Sequence, residues 1–214
     1  MEYRLLRKDL TEKCEACFFC GRKLSSSKAY VLKHLKTGDI VLSGRECAKK
    51  NLAQGESLNN TPDLTKFTDV MLHREGNETG GVRSAGAREV HERKLAIEYL
   101  ILRQAKLCQT LNCSYPTLKK YYDIYLDGEL DDKAIEHINN IEKKAPVPLQ
   151  LVTLQKCYNY LFWIDIAIAK IDKKDATFLK NIRNYLIKHH ALNENQIAGL
   201  NKWFVNLSGL PELK

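Results

Sequence analysis

The sequence predicts a mainly α protein, in which a small cysteine-rich β-hairpin and helix module at the N-terminus precedes an all-α helical domain. Three observations carry that expectation. Four of the seven cysteines stand at positions 14, 17, 20 and 47. A run dense in Gly, Asn and Ser, from Glu75 to Gly86, cannot hold a packed element. From Ala87 onward, apolar residues recur at helical spacing. The chain therefore divides at residues 1–54, 55–86 and 87–214: a module, a linker or exposed loop, and a helical domain. Its 214 residues suffice for one large domain plus a small one.

Within the first stretch, alternation over Tyr30-Val31-Leu32-Lys33-His34-Leu35 predicts a strand. Lys36-Thr37-Gly38-Asp39 supplies a turn and Ile40-Val41-Leu42 the returning strand. A helix follows Ser43-Gly44, from Arg45 to Leu52. In the middle stretch only Phe67–Leu72 is apolar enough to dock on a neighbour. In the third, Val90, Ile97, Ile101, Cys108 and Leu111 form one stripe, widened by Leu100 and Leu107. Pro116 opens a helix over Thr117–Leu126, closed by Asp127-Gly128. Asp131-Asp132 heads another over Lys133–Lys144, stopped by Ala145-Pro146-Val147-Pro148. Leu149–Ile171 is the most apolar segment and the expected buried central helix. Helices over Lys174–His189 and Glu194–Leu207 complete the domain, the last with a capping box of Asn193 and Gln196.

Composition excludes several classes. Apolar residues at 44% and charged residues at 28% are those of a folded, soluble chain. The longest apolar run, Tyr158–Ala169, is too short for a membrane helix and contains Asp165. The opening residues MEYRLLRKDL are charged and lack a signal peptide's apolar stretch, which leads us to expect a cytoplasmic protein in a reducing compartment. There the cysteines are thiols or metal ligands before they are disulfides. Neither Gly-x4-Gly-Lys-Ser/Thr nor Gly-x-Gly-x-x-Gly occurs, so no nucleotide-phosphate cradle or small-molecule substrate is indicated. No catalytic set is recognisable either, and the expectation is a non-enzyme with no catalytic and no cofactor-binding residues.

The sharpest signal is Cys14-Glu15-Ala16-Cys17-Phe18-Phe19-Cys20-Gly21, followed by Ser43-Gly44-Arg45-Glu46-Cys47. A Cys-x-x-Cys-Gly turn puts two thiolates on one metal, and its glycine lets the backbone fold beneath the sulfurs. A third thiolate at the start of a helix, after a hairpin, adds to a tetrahedral site. That order resembles the treble-clef class of zinc fingers over residues 12–54, with Cys17 and Cys20 in the knuckle and Cys47 entering the helix. The resemblance implies one structural Zn²⁺ and a zinc-binding module. Position 44, where such fingers place a further cysteine, is Gly, so the fourth ligand comes from elsewhere: Cys14 first, His34 as the alternative, His73 more distantly. An iron–sulfur run lacks a further cysteine between Cys20 and Cys47. A His-metal nuclease would force His34 and Asn51 into its catalytic roles, and the helix carries no His.

The net charge of +8 is unevenly spread: +6 over residues 1–54, −2 over 55–100, zero over 101–148 and +4 over 149–214. Basic ends suit a polyanion, because neutralised phosphates release counterions. The expected function is thus a non-catalytic, zinc-containing accessory protein that binds nucleic acid, DNA or RNA. Arg45, Lys49, Lys50, Arg74, Arg83, Arg88, Lys173, Lys174, Lys180 and Arg183 are its candidate contacts. The alternative is a protein–protein adaptor or inhibitor docking on a large complex such as a polymerase or nuclease. In layout the chain is similar to phage-encoded accessory and host-takeover proteins, for which the compartment would be the host cytoplasm.

Overall fold

The computed structural model describes residues 2–12, 15–59, 61–65, 85–128, 130–172 and 176–213. They form two compact units, one comprising residues up to 65 together with a helical stretch ending at Glu98, the other beginning at Tyr99.

In the first unit, β1 (Tyr3–Leu10), β2 (Lys28–His34) and β3 (Ile40–Ser43) make an antiparallel sheet in the order β1-β2-β3. The hairpin expected from the sequence is β2 and β3, whose register pairs Tyr30 with Ser43 and Lys33 with Ile40. Its turn closes with His34 N–H donating to Asp39 O at 2.8 Å. Strand β1 has no counterpart in the sequence reading. Its pairing shifts between Leu5 and Arg7, so the two-residue alternation that betrays a strand is broken. Helix α1 (Arg45–Asn51) buries Ala48, and with Leu52 one turn later it covers Leu32 and Val41. Cys17, Leu24 and Ala29 form a second small cluster.

Three buried carboxylates tie the unit together. Asp9 pairs with Arg7 Nε at 2.7 Å. Asp63 accepts from Thr65 N and Oγ1 at 2.9 and 2.6 Å and from Lys8 Nζ at 3.2 Å. Glu98 accepts from the Asp63 amide at 2.7 Å. Buried charges are tolerated only when so partnered.

The helices read from the periodicity are present, with the ends adjusted. Helix α2 (Ala85–Ile101) passes into a π-helical turn, Leu102–Lys106. That turn, and not a continued α-helix to Leu111, carries the buried Leu102 and Arg103, whose Nε donates to Cys113 O at 3.0 Å. In the second unit α3 (Pro116–Asp127) begins on its proline, and α4 (Asp132–Lys144) is capped by Asp131, which accepts from Ala134 N. The segment Ala145–Gln150 is not yet α-helix; a 3₁₀ turn occupies Val147–Leu149. Helix α5 (Leu151–Ala169) buries Leu151, Leu154, Cys157, Tyr160, Leu161, Ile164 and Ala167 and is the centre of this unit's core. Helix α6 (Thr177–His189) packs on it through Leu179, Ile182 and Leu186, and α7 (Glu194–Phe204) carries the capping box of Asn193 and Gln196. Asp165 pairs with Arg183 of α6. Tyr125 is buried, and Tyr121 Oη meets His137 Nδ1 at 2.7 Å. Among the described residues, no helix is long and apolar enough to cross a membrane.

Candidate metal centre

The knuckle is built by backbone hydrogen bonds that the sequence makes available. Cys17 N–H donates to Arg22 O and Gly21 N–H to Cys17 O, both at 2.9 Å. Gly21 sits at φ +68°, a left-handed conformation that a side chain disfavours, and so turns the chain beneath the sulfurs. Phe18 N–H donates to Leu42 O at 2.9 Å and Leu24 N–H to Glu15 O at 2.9 Å, fastening the knuckle to the hairpin. Helix α1 then delivers Cys47 to the same place. The sulfurs of Cys17, Cys20 and Cys47 all lie within 4.8 Å of one another. Cys17 is buried, Cys47 half-buried and Cys20 exposed. The six described cysteines are free of disulfides.

Their proton affinities are unequal. Burial pushes the Cys17 thiol up, but hydrogen bonding with Ser43 Oγ (3.5 Å) and with the backbone of Gly44, Cys20 and Phe19 outweighs it and brings the pKa down to about 6. Cys47 is pushed up to about 11 by its hydrogen bonds with Cys20 and Cys17 and by its burial. The lowered Cys17 favours the thiolate, the form in which cysteine binds a metal. The three cysteines together could hold a metal ion.

The other predicted ligands fall elsewhere. Cys14 and His73 lie outside the described residues. His34 is not brought to the sulfurs: its Nε2 meets Glu2 Oε2 at 2.9 Å, its Nδ1 meets Thr37 Oγ1 at 2.9 Å, and its ring packs on Tyr3. Asn51 Nδ2 donates to Cys47 O at 2.8 Å, a helix-internal contact.

A cleft of about 460 Å³ opens beside the three sulfurs. Its walls carry five cations, Lys8 from β1, Arg22 and Lys23 from the knuckle, Lys28 from β2 and Arg45 from α1, against one acid, Glu46. Tyr30 also lines it. Of the predicted nucleic-acid contacts among the described residues, the structure brings only Arg45 into this cleft. Lys49 and Lys50 are exposed on α1. Arg88 pairs with Glu92 at 3.0 Å, Arg183 pairs with Asp165, and Lys180 is exposed on α6. Arg74, Arg83, Lys173 and Lys174 lie outside the described residues. The sequence reading missed Lys8, Arg22, Lys23, Lys28 and Tyr30. Two signals were available: the Arg-Lys pair directly after the knuckle glycine, and the alternation of Lys28 with Tyr30 along one strand.

No protein-family model matches the chain, and neither does any curated protein or solved structure.

Proposed function

We propose that the N-terminal unit is a treble-clef-like module held by one structural Zn²⁺, and that the protein is a non-catalytic accessory factor binding nucleic acid through this module. The observation that carries it is the juxtaposition of the three-cysteine cluster with a cleft lined by five cations. Tetrahedral zinc with Zn–S bonds of about 2.3 Å sets its sulfurs about 3.8 Å apart, which the cluster accommodates. Thiolate donors suit zinc, and Cys14, three residues before Cys17, is the fourth donor in this reading. With four protein ligands the ion keeps no open position for water, so its role is to hold the knuckle, the hairpin and α1 together. Phosphates then meet a surface whose positive charge the module itself presents.

The test has two parts. Elemental mass spectrometry of the purified protein should give one zinc per chain, and Cys17→Ser and Cys47→Ser should each lose it. Affinity for nucleic acid should fall steeply with salt, as several phosphate contacts require. Absence of metal from the parent protein would sink the reading. The exposed Phe18, Leu35 and Ile40 favour a second reading, docking on a larger protein. In that case a co-purifying protein would be retained at high salt and nucleic acid would not bind.

A further inference from the structure

We infer that the cleft beside the cysteines takes one nucleotide of a single-stranded nucleic acid, its phosphate among Arg22, Lys23, Lys28 and Arg45 and its base on the ring of Tyr30. This rests on the nucleic-acid reading proposed for the module and adds to it the form of the strand and the place of contact.

The cations come from separate segments and surround a concavity. A duplex presents its phosphates on a convex rod, which meets a flat or protruding basic surface. A volume of about 460 Å³ is instead the size of a pocket for a small molecule or a single unstacked nucleotide. Among the described residues, Arg22, Lys23, Lys28 and Arg45 have no ion-pair partner, so their charge is available. Lys8 is different, because Asp63 holds it at 3.2 Å and it frames the cleft with its charge largely compensated.

The aromatic component follows from strand register. Tyr30 pairs with Lys8 on one side and with Ser43 on the other, and opposite residues of antiparallel strands share a face. Lys28, two residues earlier on the same strand, shares that face too. Ser43 reaches Cys17 at 3.5 Å, so the row runs from the cations to the sulfurs with Tyr30 at its centre. Tyr30 is half-buried against the core formed by Leu32 and Val41, which fixes its position, and among the described residues no other ring stacks on it. Phosphate-binding cations around a fixed, unstacked ring are the two elements by which proteins hold single strands without reading their sequence.

The experiment uses the full, metal-loaded chain and fluorescence anisotropy with a fluorescein-labelled oligothymidylate and a duplex of equal length, over a sodium chloride series. The oligothymidylate should bind more tightly than the duplex at every salt concentration. The double variant Arg22→Gln/Lys28→Gln should reduce the slope of log K against log salt by about 0.7, the contribution of the one phosphate the cleft holds. Tyr30→Leu should weaken binding roughly 5- to 100-fold without changing that slope, while Tyr30→Phe stays within about twofold of the parent. Metal content and melting temperature equal to the parent's identify variants that have folded. If Tyr30→Leu fails this check, the Arg22/Lys28 pair, which is exposed, still decides. Tighter duplex binding, or parental affinity and slope in both variants, overturns the cleft assignment while leaving nucleic-acid binding intact. Failure of both probes to bind at low salt overturns nucleic-acid binding itself.

Discussion

The two units meet the same problem, holding a small chain segment in one conformation, by different means. In the helical unit a single helix, α5, buries Leu151, Leu154, Cys157, Tyr160, Leu161 and Ile164, and neighbouring helices close over it. At roughly 1.5–3 kcal/mol per buried large apolar side chain, such a core needs no further device. The β unit has a three-stranded sheet, a seven-residue helix and two small apolar clusters. Its knuckle is fixed by backbone hydrogen bonds whose common purpose is to gather sulfur atoms. Positive charge is handled in two ways among the described residues. Arg103 is buried on the carbonyl of Cys113 and Arg183 is held by Asp165. Around the cleft, four cations have no such partner among the described residues. A count of Lys and Arg does not distinguish the two cases, whereas pairing does.

On the proposed zinc reading, the largest effect should come from removing metal. Chelation, or Cys47→Ser, is expected to unfold the β unit and leave the helical unit folded, so one thermal transition should become separable from the other. Structural zinc contributes about 10–16 kcal/mol to folding in small domains. Circular dichroism should therefore retain most of its helical signal while the amides of β1 to β3 lose hydrogen-exchange protection. Unchanged protection after chelation would mean the apolar clusters suffice. The converse substitution is Leu154→Ala, at a site with no solvent exposure in the centre of α5. It should cost about 2–5 kcal/mol and lower the melting of the helical unit, with metal content unaltered. Loss of zinc in that variant would show the units to be interdependent.

The cysteine triad was legible in the sequence because its chemistry is local: a Cys-x-x-Cys-Gly knuckle and a cysteine just inside the start of a helix. The hairpin β2–β3 and the helices were legible because period-2 and period-3.6 patterns survive there. Strand β1 was not, since the shift between Leu5 and Arg7 disrupts the alternation and its charged residues pair with partners distant in sequence, Lys8 with Asp63 for one. The π turn at Leu102–Lys106 was equally hidden, since no residue type marks the one-residue insertion that makes it. His34 is attractive as a ligand by residue type alone. The fold turns it toward Glu2 and Thr37 at the far end of the hairpin. The cleft was invisible for the plainest reason: its cations come from four segments that only the folded sheet brings together.

A smaller effect probes the knuckle without removing a ligand. Gly21→Ala adds a Cβ that meets no neighbour, so only the left-handed backbone at φ +68° resists it. The cost should be about 1–2 kcal/mol, read as weaker zinc retention against a chelator. A comparable change at Gly86, exposed and helical, should be neutral or stabilising.

The smallest effect concerns the helical unit and acid. His190 caps α6 in a left-handed conformation, φ 61°, its N–H donating to Leu186 O at 2.7 Å. Its Nδ1 is buried without a hydrogen-bond partner among the described residues. Burial lowers its pKa below the usual imidazole value of 6.5; the backbone of Pro148 opposes this, while the charges of Arg103 and His189 reinforce it. A base whose folded pKa is depressed binds fewer protons folded than unfolded. Its stabilising contribution is therefore complete above pH 6.5 and is lost as pH falls through the lower, folded value. His190→Asn keeps a side chain that tolerates the left-handed conformation and removes the titration. Between about pH 7.5 and about pH 5 the parent's helical transition should fall by a few degrees more than that of the variant. Parallel melting curves would place the acid sensitivity elsewhere. If the difference appeared instead in the zinc-dependent transition, the division of labour between the two units would itself be wrong.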